Sequence, residues 1–300
     1  MERSQKPATG LAIGFASLAL VAIGFLVVFL SLPAPESNSS TDAGASEPVT
    51  VLSNLPDPAT RRAVEALRAV SPATYAELQT ATAFAAKDGA SESAYSQLVL
   101  EALFSQFAEQ ALSLRSASSS DYQQIISGLA GGLKDLKSNE SVWCDGPTIA
   151  RFLSQNEQDL VPGLLAEFPY RSPQYVWAMD WMATLLTAAK RAQDRPVRNS
   201  RPGVRDEAIL QQEGLALGSE QWALALQIAA FANSEGISYA KMREVIAGMD
   251  VCDLGIAVET VSARLPGDVR ARIWADLLPE VMVGNTPYVI WRVTDYFFIG

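Results

Sequence analysis

No histidine occurs among the 300 residues. Ser-His-Asp and Cys-His nucleophiles both need an imidazole to accept the nucleophile's proton, so neither chemistry is open to this chain. Zincin helices and the usual catalytic zinc sites also depend on histidine. Cysteine is nearly absent too, with only Cys144 and Cys252 present. Two thiols without an imidazole supply too few soft ligands for a transition metal, and their wide separation is not a redox C-x-x-C. Carboxylate or Ser-Lys chemistry is what remains for an enzyme. No metal and no cofactor are expected, and the balance leans away from catalysis.

Positive charge is also scarce. The net charge is −10 and the isoelectric point is near 4.7. Nucleic acid is not an expected partner, because its binding needs a basic surface to displace counterions. Residues 7–60 contain no lysine or arginine.

Within that gap, Leu11 to Leu32 reads "LAIGFASLALVAIGFLVVFLSL", with no charged residue. At 1.5 Å per residue a helix of this length spans about 33 Å, enough to cross a hydrocarbon core. A cleaved signal peptide has a shorter apolar region with a small-residue site close behind it. Here Ala43-Gly44-Ala45 lies more than ten residues beyond the run. The segment therefore reads as a single-pass signal-anchor. Arg3 and Lys6 precede it, so the positive-inside rule leaves residues 1–10 in the cytoplasm and exports the rest. In a bacterium the main domain would be periplasmic. Gly10, Gly14, Ser17, Val21 and Gly24 share one helix face, a small-residue seam that would pair two copies as a homodimer.

Residues 33–57, "PAPESNSSTDAGASEPVTVLSNLPD", are proline-rich and polar with no basic residue. They read as a disordered tether whose ends lie about 25–30 Å apart. Residues 58–300 read as an all-α extracytoplasmic domain. Ser71-Pro72 starts a helix that stops at Asp88-Gly89. Tyr95, Leu98, Val99, Ala102, Leu103, Phe107, Ala111 and Leu114 form the stripe of the next. Ser120 is the expected cap of a helix with Tyr122, Ile125, Ile126, Leu129, Leu133 and Leu136 on one face. Its Gly128, Gly131 and Gly132 weaken it unless another helix packs close there. Asp145-Gly146-Pro147 opens a further helix. Ser172-Pro173 opens a long one, apolar nearly all round and hence central. Ser219, Ser238, Cys252-Asp253 and Asp268 each begin another, the last ending before Pro279. The final fifteen residues read as a short helix or an extended tail on the bundle.

Residues 190–205, "KRAQDRPVRNSRPGVR", carry +5. Residues 1–32 carry +1, so the exported part is −11 overall and −16 without this loop. Arg191, Arg195, Arg198, Arg201 and Arg205 are the candidate anion-binding residues, for lipid phosphates or another envelope polyanion, since a guanidinium grips phosphate in a bidentate fork. The plainer account is a solvated connection between two halves, 58–190 and 206–300, whose arginines pair with the acidic body.

Ser238-Tyr239-Ala240-Lys241 fits the S-x-x-K of penicillin-binding proteins, but the K-T-G motif of that family is absent. Glu140-Ser141 resembles the Glu-Ser pair of lytic transglycosylases, without that family's glycine-rich Met-Gln motif. Asp180 sits between Trp177 and Trp181, yet Asp180, Thr184, Thr187 and Arg191 form a polar stripe that suits solvent or a helix neighbour. Trp143, Trp177, Trp181, Trp222, Trp274 and Trp291 read as core. In an oxidising compartment Cys144 and Cys252 pair as a disulfide, each followed by an aspartate that opens a helix. Three functions fit: an envelope scaffold with a protein partner, a carboxylate-dependent glycan hydrolase or lyase, or a binder of lipid or a small ligand between helices.

Overall fold

The computed structural model describes residues 52, 55, 57–152, 168–216, 244, 247, 248, 250–283, 285, 288, 289 and 292. The expected membrane span, its face of Gly10, Gly14, Ser17 and Gly24, and residues 33–51 of the tether lie outside these. So do the helices expected after Ser219 and Ser238. Among the described residues no helix is long and apolar enough to cross a membrane.

The described body is mainly α-helical, without strands. In chain order the helices are α1 (Pro58–Val70), α2 (Pro72–Lys87), α3 (Glu92–Leu114), α4 (Ser119–Ser138), α5 (Gly146–Phe152), α6 (Pro173–Asp194), α7 (Val204–Leu215), α8 (Val251–Arg264) and α9 (Gly267–Met282). A 3₁₀ turn, Val142–Cys144, precedes α5.

The tether ends sooner than its composition suggests. Leu52 and Leu55 are buried in the core, and Asp57 caps α1 by accepting from the Thr60 amide. Thr60 also meets the buried Tyr175 hydroxyl at 3.0 Å, which stitches the start of α1 to the start of α6. Helix α4 begins two residues earlier than expected. Ser118, not Ser120, is the cap, because only Ser118 has an acid three residues on to close a capping box, Asp121. Helix α9 runs through Pro279 instead of ending before it. Buried Leu277, Leu278, Val281 and Met282 hold that last turn in the core, outweighing the hydrogen bond that proline cannot make. Asp268 lies in the first turn of α9, not at its cap, which is Pro266.

Three layers result. Helix α6 packs on α1, α3 and α4; α3 and α4 in turn carry α9, and α4 carries α8. The core runs through all three layers without a break, from Leu67 and Met182 to Leu133, Val258 and Leu278. Among the described residues, α8 and α9 complete the core begun by the earlier helices. The glycines of α4 allow one close approach. A Cβ on Gly132 would run into the Trp177 indole of α6, whereas one on Gly131 would meet open space.

Helices α3 and α6 run the same way. Arg171, just before α6, meets Glu92 at the start of α3, and Gln193 near the end of α6 donates to Gln110 near the end of α3. The bundle thus has two distinct ends. The chain enters beside Thr60 and Tyr175; the connection after α6 leaves from the opposite end, about 30 Å away along the helices.

Candidate functional site

Among the described residues, three places gather chemistry-bearing side chains. The first is the cysteine pair. Cys144 and Cys252 are joined, with Cα atoms 5.0 Å apart, and both are buried. The bond ties the 3₁₀ turn after α4 to the first turn of α8, and Asp145 and Asp250 pair as an isolated bridge beside it. The two aspartates that follow the cysteines are not equivalent. Asp145 immediately precedes α5, as expected. Cys252 and Asp253 already lie inside α8, and Asp250 is its cap, accepting from the Asp253 amide at 2.8 Å. The register moves because Asp250, three residues before Asp253, offers its carboxylate first. Lys137, at the end of α4, contacts both Asp250 and Asp253. Burial opposes its charge, but the hydrogen bond with Asp253 and the fields of both carboxylates outweigh it, so its pKa lies above the usual lysine value. Atoms of Cys144, Cys252 and Asp250 come within 4.8 Å of one another. Sulfurs bonded to each other present no thiolate, so this cluster is a staple and not a metal centre.

The second place is an open groove of about 650 Å³ between α1 and α6, with Gln124 of α4 at one side. Its floor is Ala66, Ala69 and Ala183, and its walls are Arg62, Glu65, Asp180, Thr184, Thr187 and Arg191. The polar stripe of α6 thus faces this groove. Arg62 grips Asp180 at 2.6 Å, and Asp180 keeps 43% of its side-chain surface exposed. Arg191 pairs at 2.5 Å with the buried Asp121 and also donates to Gln124. Its charges are largely spent on each other, and among the described residues no aromatic ring lines it. Arg62, Glu65 and Gln124 carried no signal in the sequence; only the α6 stripe did.

The third place is the connection after α6. The basic stretch expected as a loop over 190–205 divides in two. Lys190 and Arg191 belong to α6, where Lys190 bonds Asp194 at 2.5 Å and Arg191 joins the groove. Residues 195–203 then form an extended strap laid across the turn between α3 and α4. The Val197 amide donates to the Ser116 carbonyl at 2.9 Å. The Asn199 side-chain amide donates to the Arg115 and Ala117 carbonyls at 3.0 and 2.9 Å. Pro202 is buried, and the Gly203 amide donates to Asp206 where α7 begins. Arg272 then holds Asp206 with two bonds of 2.8 Å. That guanidinium outweighs the effect of burial and keeps the Asp206 carboxyl below its usual range. Arg195, Arg198, Arg201 and Arg205 are exposed and make no ion pair among the described residues. Among the described residues, the plainer expectation, pairing with the acidic body, is met by Arg191 and by none of these four.

The remaining sequence signals place as follows. Glu140 is exposed at a turn with φ of 50°, and Ser141 accepts from the Trp143 amide. Trp143, Trp181 and Trp274 are buried, and Trp177 packs against α4. Ser238 to Lys241, Trp222 and Trp291 lie outside the described residues. Tyr288 and Arg292, near the end of the chain, both bond Asp276 of α9. No protein-family model, no curated protein and no solved structure matches the chain.

Proposed function

We propose that this is a membrane-anchored extracytoplasmic binding or scaffold protein of the cell envelope. Residues 1–10 lie in the cytoplasm, residues 11–32 span the bilayer, and a short acidic tether carries the helical body. The body engages a protein partner, and the small-residue seam of the span pairs two copies. The observation that carries the binding reading is the strap: an ordered, backbone-pinned segment that displays three exposed arginines, with Arg205 just beyond it, on a body otherwise strongly negative. Charges held in place without internal partners are suited to a partner outside the fold.

The glycan-cleaving alternative draws on one observation, that Glu65 and Asp180 line the same groove. A glycosidase acid must keep its proton, usually by burial, while a second carboxylate acts nearby. Glu65 is exposed and Asp180 is bound to Arg62, so the pair lacks that division of roles. The groove is also open and polar-walled, unlike the closed apolar cavity that a lipid or small apolar ligand would need.

Crosslinking of the full chain in its native membrane, followed by identification of what is joined, tests the proposal. A protein partner reproducibly joined to the body is the expected result. No partner, together with cleavage of cell-wall glycan by the purified chain, would overturn it. Protease added to intact and to permeabilised cells checks the topology: the body should be digested only where the exported side is reached.

A further inference from the structure

We infer that the strap end of the bundle is a docking face for an acidic segment of a partner protein that also carries apolar side chains. This deepens the binding-protein reading and rests on it.

Charge is the first ground. Arg195, Arg198 and Arg201 recur every third residue along the strap, Arg205 follows in the first turn of α7, and all four are exposed. The partner surface they complement is negative.

Exposed apolar side chains are the second ground, independent of charge. Six large ones stand out in the described body: Phe84, Leu112, Val142, Val197, Val204 and Val283. Four of these lie at the strap end of the bundle. Val197 (41% exposed) lies between Arg195 and Arg198, and Val204 (72%) lies beside Arg205. Leu112 (66%) is one helical turn before Arg115, whose carbonyl Asn199 holds. Arg115 bonds Glu280 of α9, and Val283 (47%) is three residues beyond Glu280. The patch is therefore mixed, arginine and aliphatic.

That mixture selects the occupant. A phosphate polymer would meet the arginines but leave Leu112, Val204 and Val283 in water. A flat anionic bilayer would meet the rest of the body, residues 58–300, which is −12 without residues 190–205, and be repelled by it. The strap also lies at the bundle end remote from where the chain enters. An acidic peptide segment with interspersed apolar residues satisfies both halves of the patch. Because the strap is already pinned to α3 and α4, little ordering cost remains for binding.

The test uses the full chain in nanodiscs and a labelled twelve-residue peptide of alternating glutamate and leucine. Saturable binding is expected, weakened by raised salt. R195E/R198E/R201E should weaken it about tenfold or more, and L112S/V283S about threefold. An all-glutamate peptide of the same length should bind several-fold more weakly. Equal affinity for wild type and the triple variant, or equal affinity for the two peptides, overturns the proposal. Preferential binding of phosphatidylglycerol vesicles or polyphosphate does the same. In cells, a photocrosslinker at Arg198 should join an acidic, apolar-bearing segment of a partner, mapped by mass spectrometry. Crosslinks from Arg61, at the opposite end, with none from Arg198 would keep the binding-protein reading and sink the docking face. Crosslinks from neither would remove both.

Discussion

The indole of Trp177 lies where a side chain on Gly132 would have to go, and its Nε1–H donates to the Gly128 carbonyl at 2.9 Å. This contact sets how closely α6 approaches α4. One turn further along α6, Trp181 repeats the device and donates to the Ile125 carbonyl at 3.0 Å. Both helices keep their spacing because two aromatic N–H groups are satisfied on the same backbone stretch.

Gly132→Ala should therefore destabilise the fold by about 1–3 kcal/mol through overpacking. Gly131→Ala, one residue away and facing open space, should stabilise it by about 0.5–1 kcal/mol, because alanine is the better helix former. Urea denaturation of the two variants checks the contrast. Equal effects would show that α4 and α6 do not approach in this way.

Reducing the Cys144–Cys252 bond, or changing both to serine, should lower stability by about 4–5 kcal/mol on the chain-entropy model. Urea midpoints with and without reductant measure this. Intact mass of the unreduced chain after alkylation should show no modified thiol. Two alkylated thiols would remove the bond and a main support for an oxidising compartment.

Asp206 makes stability depend on acid. Its carboxyl titrates below the ordinary 3.8 in the folded chain because Arg272 bonds the ionised form. Above 3.8 the carboxyl is charged in both states and the stabilisation is fully present. As pH falls from there through the lower folded value, the unfolded chain takes up the proton first and the stabilisation is lost. D206N should cost about 2 kcal/mol at pH 7 and flatten part of the acid limb. An unchanged acid limb in D206N would show that Arg272 does not hold this carboxylate.

Asn199 should govern how firmly the strap is held. Trypsin is blocked at Arg195 and Arg201 by the prolines that follow, so Arg198 is the cleavable bond within the strap. Asn199→Ala removes both side-chain bonds to the α3–α4 turn and should speed nicking at Arg198 about tenfold. Mass spectrometry of timed digests would detect it. Unchanged nicking would mean that the Val197 bond and Pro202 suffice.

Much of the helical plan was legible from local rules. Ser71-Pro72 and Ser172-Pro173 start helices where the N-cap and first-turn preferences put them, and Asp88-Gly89 ends one. Apolar spacing identified the core faces of α3 and α4 because a helix repeats every 3.6 residues whatever surrounds it. The errors fell where two local signals competed or packing overrode one. Ser118 displaced Ser120 as a cap, and the core kept α9 intact through Pro279.

The candidate sites show the same division. Sequence alone determined the absence of imidazole chemistry, the acidic balance and the pairing expected of Cys144 and Cys252, since these depend on residue types and compartment. It also marked residues 190–205 as basic. Only the tertiary structure decided that Arg191 turns to Asp121 while Arg195, Arg198 and Arg201 on the pinned strap, and Arg205 just after it, make no ion pair among the described residues. It alone brought Leu112 and Val283 to the same end, and set Asp180 opposite Arg62. Those relationships join residues far apart in the chain, and local spacing carries no information about which distant surfaces a packed core will bring together.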